Sequence, residues 1–161
     1  MPDNKPPTAK SIAHRDGRPI IGTAQKLRGV AVRRGLASMA NNTKWDELLT
    51  VMRGIDRTTW VPENRFKLIV SDHISDWDSE WQHHLPYPFM SVEWLDLTTR
   101  SYRNIERLPR RVEEANHTTW VTEVLSSIGL DFLVGRHMVR VFGYSPRDLT
   151  GFDELPPSMQ R

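Results

Sequence analysis

The sequence has no cysteine. That excludes a disulfide framework, a thiolate-bound zinc and a thiol nucleophile. It also has no run approaching the roughly 18 apolar residues that a membrane span requires, so a soluble protein is expected. Gly-x-Ser-x-Gly elbows and phosphate-cradling glycine loops are missing too. No catalytic residue, metal or cofactor is therefore assigned, and the expected role is not that of an enzyme. Two further scarcities are local. Residues 1–38 contain no aromatic side chain, and residues 68–99 contain no Lys or Arg.

What is present is a chain of 161 residues, enough for one domain with its own core. The isoelectric point near 9.1 points at first to nucleic acid, but the charge is unevenly divided. Residues 1–38 carry eight basic and two acidic side chains, a net of +6, whereas residues 39–161 carry 14 basic and 18 acidic, a net of −4. The basic character belongs to the N-terminal segment and the body is mildly acidic.

The N-terminal segment also holds four Pro and four Gly. Only Ala24, Leu27, Val30 and Ala31 suggest a loose helical spacing. Such a stretch buries too little apolar area to offset its ordering entropy, so 1–38 reads as a disordered basic extension. A nucleic-acid-binding arm, an organellar transit peptide and an upstream extension of a frame starting at Met39 are the competing readings.

Regular structure is expected from Asn41-Asn42-Thr43, a capping signal followed by Trp45, Leu48, Leu49 and Met52 at helical spacing up to Gly54. Alternation then predicts strands at 65–71 (RFKLIVS), 79–85 and 89–97 (FMSVEWLDL). Residues 98–117, with five Arg and three Glu, read as an Arg-rich loop or partial helix. A second helix follows Thr118 or Thr119, with Trp120, Val121, Val124, Leu125 and Ile128 on one face and Gly129 at its end. A last strand spans 137–144, turning either Met138 and Phe142 or Val139 and Val141 to the core. The tail 148–161 reads as irregular. The order α-β-β-β-α-β implies an α+β domain over 39–147, a small antiparallel sheet with helices packed on one face.

The polar stretch 71–84 (SDHISDWDSEWQHH) carries the functional expectations. Asp72, Asp76, Asp78, Glu80, Glu93 and Asp96 give residues 68–99 a charge of −6. Asp76, Asp78 and Glu80 lack the glycine and final glutamate of a calcium loop. A metal-assisted hydrolase would have to gather His73, Asp76, Asp78 and His83 from a turn. Trp81 and Trp94 read first as core residues, while Trp77, between two Asp, reads as exposed. Exposed aromatics ringed by acids suit protein recognition, and the acids steer a basic partner.

Four segments, Asn41-Asn42-Thr43-Lys44-Trp45, Ser75–Trp81, Glu93–Leu97 and Val139–Tyr144, together resemble a group of small bacterial proteins known as a domain of unknown function. The resemblance spans about residues 41–144 and implies a bacterial, cytoplasmic protein without assigning any activity, cofactor or site. Members begin at or just before the Asn-Asn pair, so 1–38 departs from their pattern and 98–117 is longer than theirs. The expected function is accordingly that of an interaction protein, immunity-like, binding a basic partner such as a toxin domain. The contact set is Asp76, Trp77, Asp78, Glu80 and Glu93, with Trp81 and Trp94 in support or in the core. The alternatives are a nucleic-acid-associated protein using 1–38 and Arg100–Arg111, and the metal-assisted hydrolase.

Overall fold

Thr23 begins the first helix by accepting a hydrogen bond from the Lys26 backbone N–H. The structure, a computed structural model, describes residues 14–15, 18–105 and 111–159. An antiparallel pair, β1 (His14–Arg15) and β2 (Arg18–Pro19), precedes α1 (Ala24–Arg34). Leu27 and Ala31, one turn apart, are buried with Leu36, Ile69 and Tyr144. Arg34 at the end of α1 reaches Glu93 at 3.1 Å.

These contacts correct the expectation of a disordered extension over 1–38 for residues 18–38. The segment has too few apolar residues to fold alone, but the body supplies the other half of the contact. Residues 1–13, 16 and 17 of that expectation lie outside the described residues.

α2 (Asn42–Arg53) follows the sequence closely. Asn41 caps it by accepting from Lys44 N–H, and Trp45, Leu48, Leu49 and Met52 are all buried. α3 (Thr118–Ile128) buries Val121 and Leu125 and ends at Gly129 in the left-handed region, φ 81°. Both helices lie on one face of a four-stranded antiparallel sheet. Its strands are β3 (Asn64–Leu68), β4 (Val92–Thr98), β7 (Phe132–Val134) and β8 (Met138–Phe142), in the order β3-β4-β8-β7. Leu95, Leu97, Val139 and Val141 point from the sheet into this core, so of the two alternatives for the last strand the valines face the helices.

The register shifts where β3 meets β4. Leu68 pairs with Val92 and Lys67 with Trp94, which leaves Glu93 as an extra residue. The bulge lets Val92 join the helical core while Glu93 and Trp94 both turn to the opposite face.

Two expectations at the sheet are corrected. Residues 79–85 form no strand, because carboxylates capture the backbone donors a ladder would use: Asp78 accepts from Glu80 N–H at 2.9 Å, and Glu80 accepts from the N–H groups of Gln82, His83 and His84 at 2.7–2.8 Å. Residues 98–117 are neither loop nor partial helix but an antiparallel hairpin, β5 (Arg100–Ile105) with β6 (Arg111–Asn116). Cross-strand pairs such as Tyr102 with Glu114 stabilise it without any apolar period. Its tip, 106–110, lies outside the described residues.

Gly143 marks the tightest approach. A Cβ there would stand 2.2 Å from the Val92 carbonyl oxygen. The same residue accepts backbone bonds from Met39 and Ala40 and donates to Glu93. It thereby joins the α1–α2 connection to the sheet.

Candidate functional site

The sheet face away from α2 and α3 carries charge. Register places Arg65 of β3 opposite Asp96 of β4, and Asp96 opposite Arg140 of β8. The three make one row across the centre of the sheet. Arg140 donates to both Asp96 oxygens, from Nε at 2.7 Å and from Nη2 at 2.9 Å, and Arg65 Nε donates to Oδ2 at 2.9 Å. The side chains of Asp96 and Arg140 are fully buried and that of Arg65 is 9% exposed. Two guanidinium groups and one carboxylate leave a buried charge of +1.

Aromatic rings and carbonyl dipoles accommodate that surplus. The Arg140 guanidinium lies 3.6 Å from the centre of the Trp94 ring and 5.6 Å from Phe152. Arg65 lies 4.8 Å from the Trp77 ring. The Arg140 Nη1 donates to the Thr150 carbonyl at 2.9 Å, and Arg65 Nη2 donates to the Gly151 carbonyl. These bonds fasten the C-terminal segment over the sheet, with turns at 150–153 and a 3-10 turn at Pro157–Met159. Of the tail expected to be irregular, the described residues 148–159 are docked in turns, with Met159 buried, and residues 160–161 lie outside the described residues.

The free edge of β3 is covered from the other side. Asn64 and Asp78 exchange backbone bonds at 2.8 and 2.9 Å, and Ser75 N–H donates to the Phe66 carbonyl. Between the 74–78 loop and the C-terminal segment opens a cleft of about 600 Å³. Arg65 and Trp77 border it, Asp76 and Glu154 present carboxylates, and Ile74 and Leu155 supply apolar wall. Asp76 and Glu154 are exposed and Trp77 is half-buried.

The proposed contact residues therefore separate. Asp76 and Trp77 share the cleft. Asp78 bonds to His84 Nδ1 at 2.5 Å, a contact that raises the His84 pKa above its ordinary value. Glu80 holds a turn. Desolvation opposes its ionisation, but the backbone N–H groups of His84, His83 and Gln82 together keep its pKa below the ordinary glutamate value. Trp81 is 1% exposed, with Nε1 donating to the Pro62 carbonyl at 2.9 Å. Glu93 is buried between Lys67 and Arg34, and Trp94 is buried against Arg140. Glu93 is closed off from a partner in this fold, which corrects its place in the contact set, while Trp81 and Trp94 take the core role of the two expected for them. The apparent −6 of residues 68–99 contains two charges, Glu93 and Asp96, that are neutralised inside the fold.

Among the described residues no group of three or more His, Asp or Glu is placed to hold a metal ion. His73 and His83 are both exposed, apart from any such cluster. No helix among the described residues is long and apolar enough to cross a membrane.

Arg65, Arg140 and Glu154 were not singled out by the sequence. A charged residue at the centre of each of three alternating strands was the available signal. A second site also escaped notice: Ser101 Oγ lies 2.9 Å from His117 Nε2, and the His117 ring stacks on Trp60 with centres 3.8 Å apart and planes at 5°. Burial lowers the His117 pKa below its ordinary value.

The chain belongs to a family of unknown function, DUF6678, whose model matches residues 27–148. The match begins inside α1 and runs through the hairpin, which corrects the expectation that members begin at or just before the Asn-Asn pair. No curated protein and no solved structure matches the chain.

Proposed function

We propose that the protein is a binding module that takes a cationic segment of a partner protein into the cleft between the 74–78 loop and the C-terminal segment. The observation that carries this reading is the cleft itself, whose lining includes the Asp76 and Glu154 carboxylates together with the Trp77 ring. A lysine or arginine entering a cleft lined by two exposed carboxylates gains charge complementarity, and its stem packs on Ile74 and Leu155. Trp77 is already oriented by Arg65 on one side, so little ordering cost remains for it on binding. The partner we propose is a basic protein, with a toxin domain neutralised in the manner of an immunity protein as the leading instance. Arg100 in the hairpin is engaged by Glu114 at 2.5 Å and by the Arg136 carbonyl, and no observation favours a nucleic-acid reading over the cleft.

The test is calorimetric titration of the full chain with an Arg-rich nonapeptide, beside Asp76→Lys, Glu154→Lys and the double variant. Each exposed ion pair contributes about 0.2–1 kcal/mol. Binding should weaken by up to about fivefold in each single variant, more in the double variant, and also with added salt. Unchanged binding in the double variant would refute the cleft as the site. No binding of the peptide by the wild type would refute the cationic reading.

A further inference from the structure

We propose that Ser101 and His117 form a nucleophile–base pair that hydrolyses small carboxylic esters with an apolar acyl group. The site lies apart from the cleft and does not depend on it. The β5–β6 register places Ser101 opposite Ala115, and His117 follows directly after the end of β6. The hydroxyl and the imidazole therefore meet diagonally across the ladder at 2.9 Å, within the reach that proton transfer needs. The backbone is fixed as well, since His117 N–H donates to the Thr99 carbonyl at 2.6 Å. Trp60 stacks parallel to the imidazole and sets its plane.

Access is present on both sides of the pair. Ser101 lines a pocket of about 240 Å³ with Thr98, Arg100, Tyr102 and Trp60. His117 lines a second pocket of about 320 Å³ with Trp60, Trp120 and Ile55. Trp60 is the wall common to both. The second pocket is the apolar one and suits a short acyl chain. In the first, Arg100 is held by the Arg136 carbonyl and by Glu114.

Burial keeps the imidazole neutral at pH 7, the form that accepts a proton. Ser101 Oγ bonds to the ester carbonyl carbon while its proton passes to His117 Nε2. The carbon–oxygen bond to the alcohol breaks, and the departing oxygen takes the proton from Nε2. Water then adds to the acyl carbon, gives a proton to Nε2, and Ser101 leaves with that proton. The sum is ester plus water to acid plus alcohol, with no redox change.

The experiment uses the full chain, an alkyl fluorophosphonate as a probe of serine nucleophiles, and p-nitrophenyl butyrate as substrate. Peptide mapping should place the phosphonyl group on Ser101 ahead of every other serine. Ester hydrolysis should exceed the buffer rate. Ser101→Ala should abolish both, and His117→Gln should lower both by at least about a hundredfold. The wild-type labelling stands independently of whether either variant folds. Failure of the probe to label Ser101 overturns the proposal. So does labelling undiminished in a folded His117→Gln, or hydrolysis by Ser101→Ala at the wild-type rate.

Discussion

Replacing Asp96 by Asn removes the one negative charge from the buried row and leaves its volume intact. In the native protein the carboxylate accepts three charge-assisted bonds, at 2.7, 2.9 and 2.9 Å, from two guanidinium groups. An amide offers one acceptor oxygen and turns a donor NH2 towards a cation. The buried charge rises from +1 to +2 with no route to water, since the side chains of Asp96 and Arg140 are fully buried. Breaking a buried pair in this way costs about 3–5 kcal/mol, because an uncompensated charge remains inside. For a chain of this size each kcal/mol lowers the melting temperature by about 2–4 °C, so a fall of roughly 6–20 °C is expected. Urea denaturation followed by far-ultraviolet circular dichroism supplies the free energy, with Asp76→Asn as the exposed control, expected within about 0.5 kcal/mol of wild type. A loss below about 1 kcal/mol for Asp96→Asn, the range of an exposed pair, would refute the reasoning. Replacing Arg65, Asp96 and Arg140 together by Met, Leu and Met should leave stability closer to wild type than the single change.

Leu27→Ala should cost about 2–5 kcal/mol by urea denaturation, since Leu27 is 1% exposed in the α1 contact; a neutral result would detach α1 from the fold. Gly143→Ala drives a Cβ against the Val92 carbonyl and should destabilise by about 1–3 kcal/mol, where an unchanged melting temperature would show that the approach relaxes freely. His117 has a lowered pKa through burial, so between its folded value and 6.5 the unfolded chain binds more protons. Its contribution to stability is present above pH 6.5 and is lost as pH falls through the folded value; NMR titration of the ring locates the step, and a midpoint above 6.5 would contradict it. His84 is raised by its hydrogen bond to Asp78, so its contribution is present below the ordinary histidine value and is lost as pH rises through the folded one. Asp78→Asn should lower the His84 titration midpoint, and an unmoved midpoint in an NMR titration would contradict this.

The helical half of the fold was legible because its signals are local. The Asn41 cap, the 45-48-49-52 stripe of α2 and Gly129 at the end of α3 each depend on neighbours a few residues away. The sheet was legible in its alternation but not in what covers it. Arg65, Asp96 and Arg140 occupy positions that look solvent-facing in isolated strands, and only the docking of residues 149–155 makes them a buried row. Residues 79–85 alternate like a strand, yet Asp78 and Glu80 compete for the same backbone donors and win locally. α1 was legible only as a loose helical spacing at Ala24, Leu27, Val30 and Ala31, because its two buried residues need Ile69 and Tyr144, which lie far along the chain. The cleft depended on the same long-range fact, so Asp76 and Trp77 could be named from sequence while Glu154 could not. The Ser101–His117 contact spans 16 residues and follows only once the hairpin register is known.

The central claim is that Trp77 is the aromatic wall of a cation-binding cleft. The six tryptophans give six indole N–H signals in a 15N-labelled sample, and titration with the Arg-rich nonapeptide reads them all together. The Trp77 signal should shift with saturating dependence on peptide, while those of the buried Trp45, Trp81 and Trp94 move little. A saturating shift confined to Trp60 and Trp120, or a Trp77 signal unmoved at concentrations where the peptide binds, would contradict it.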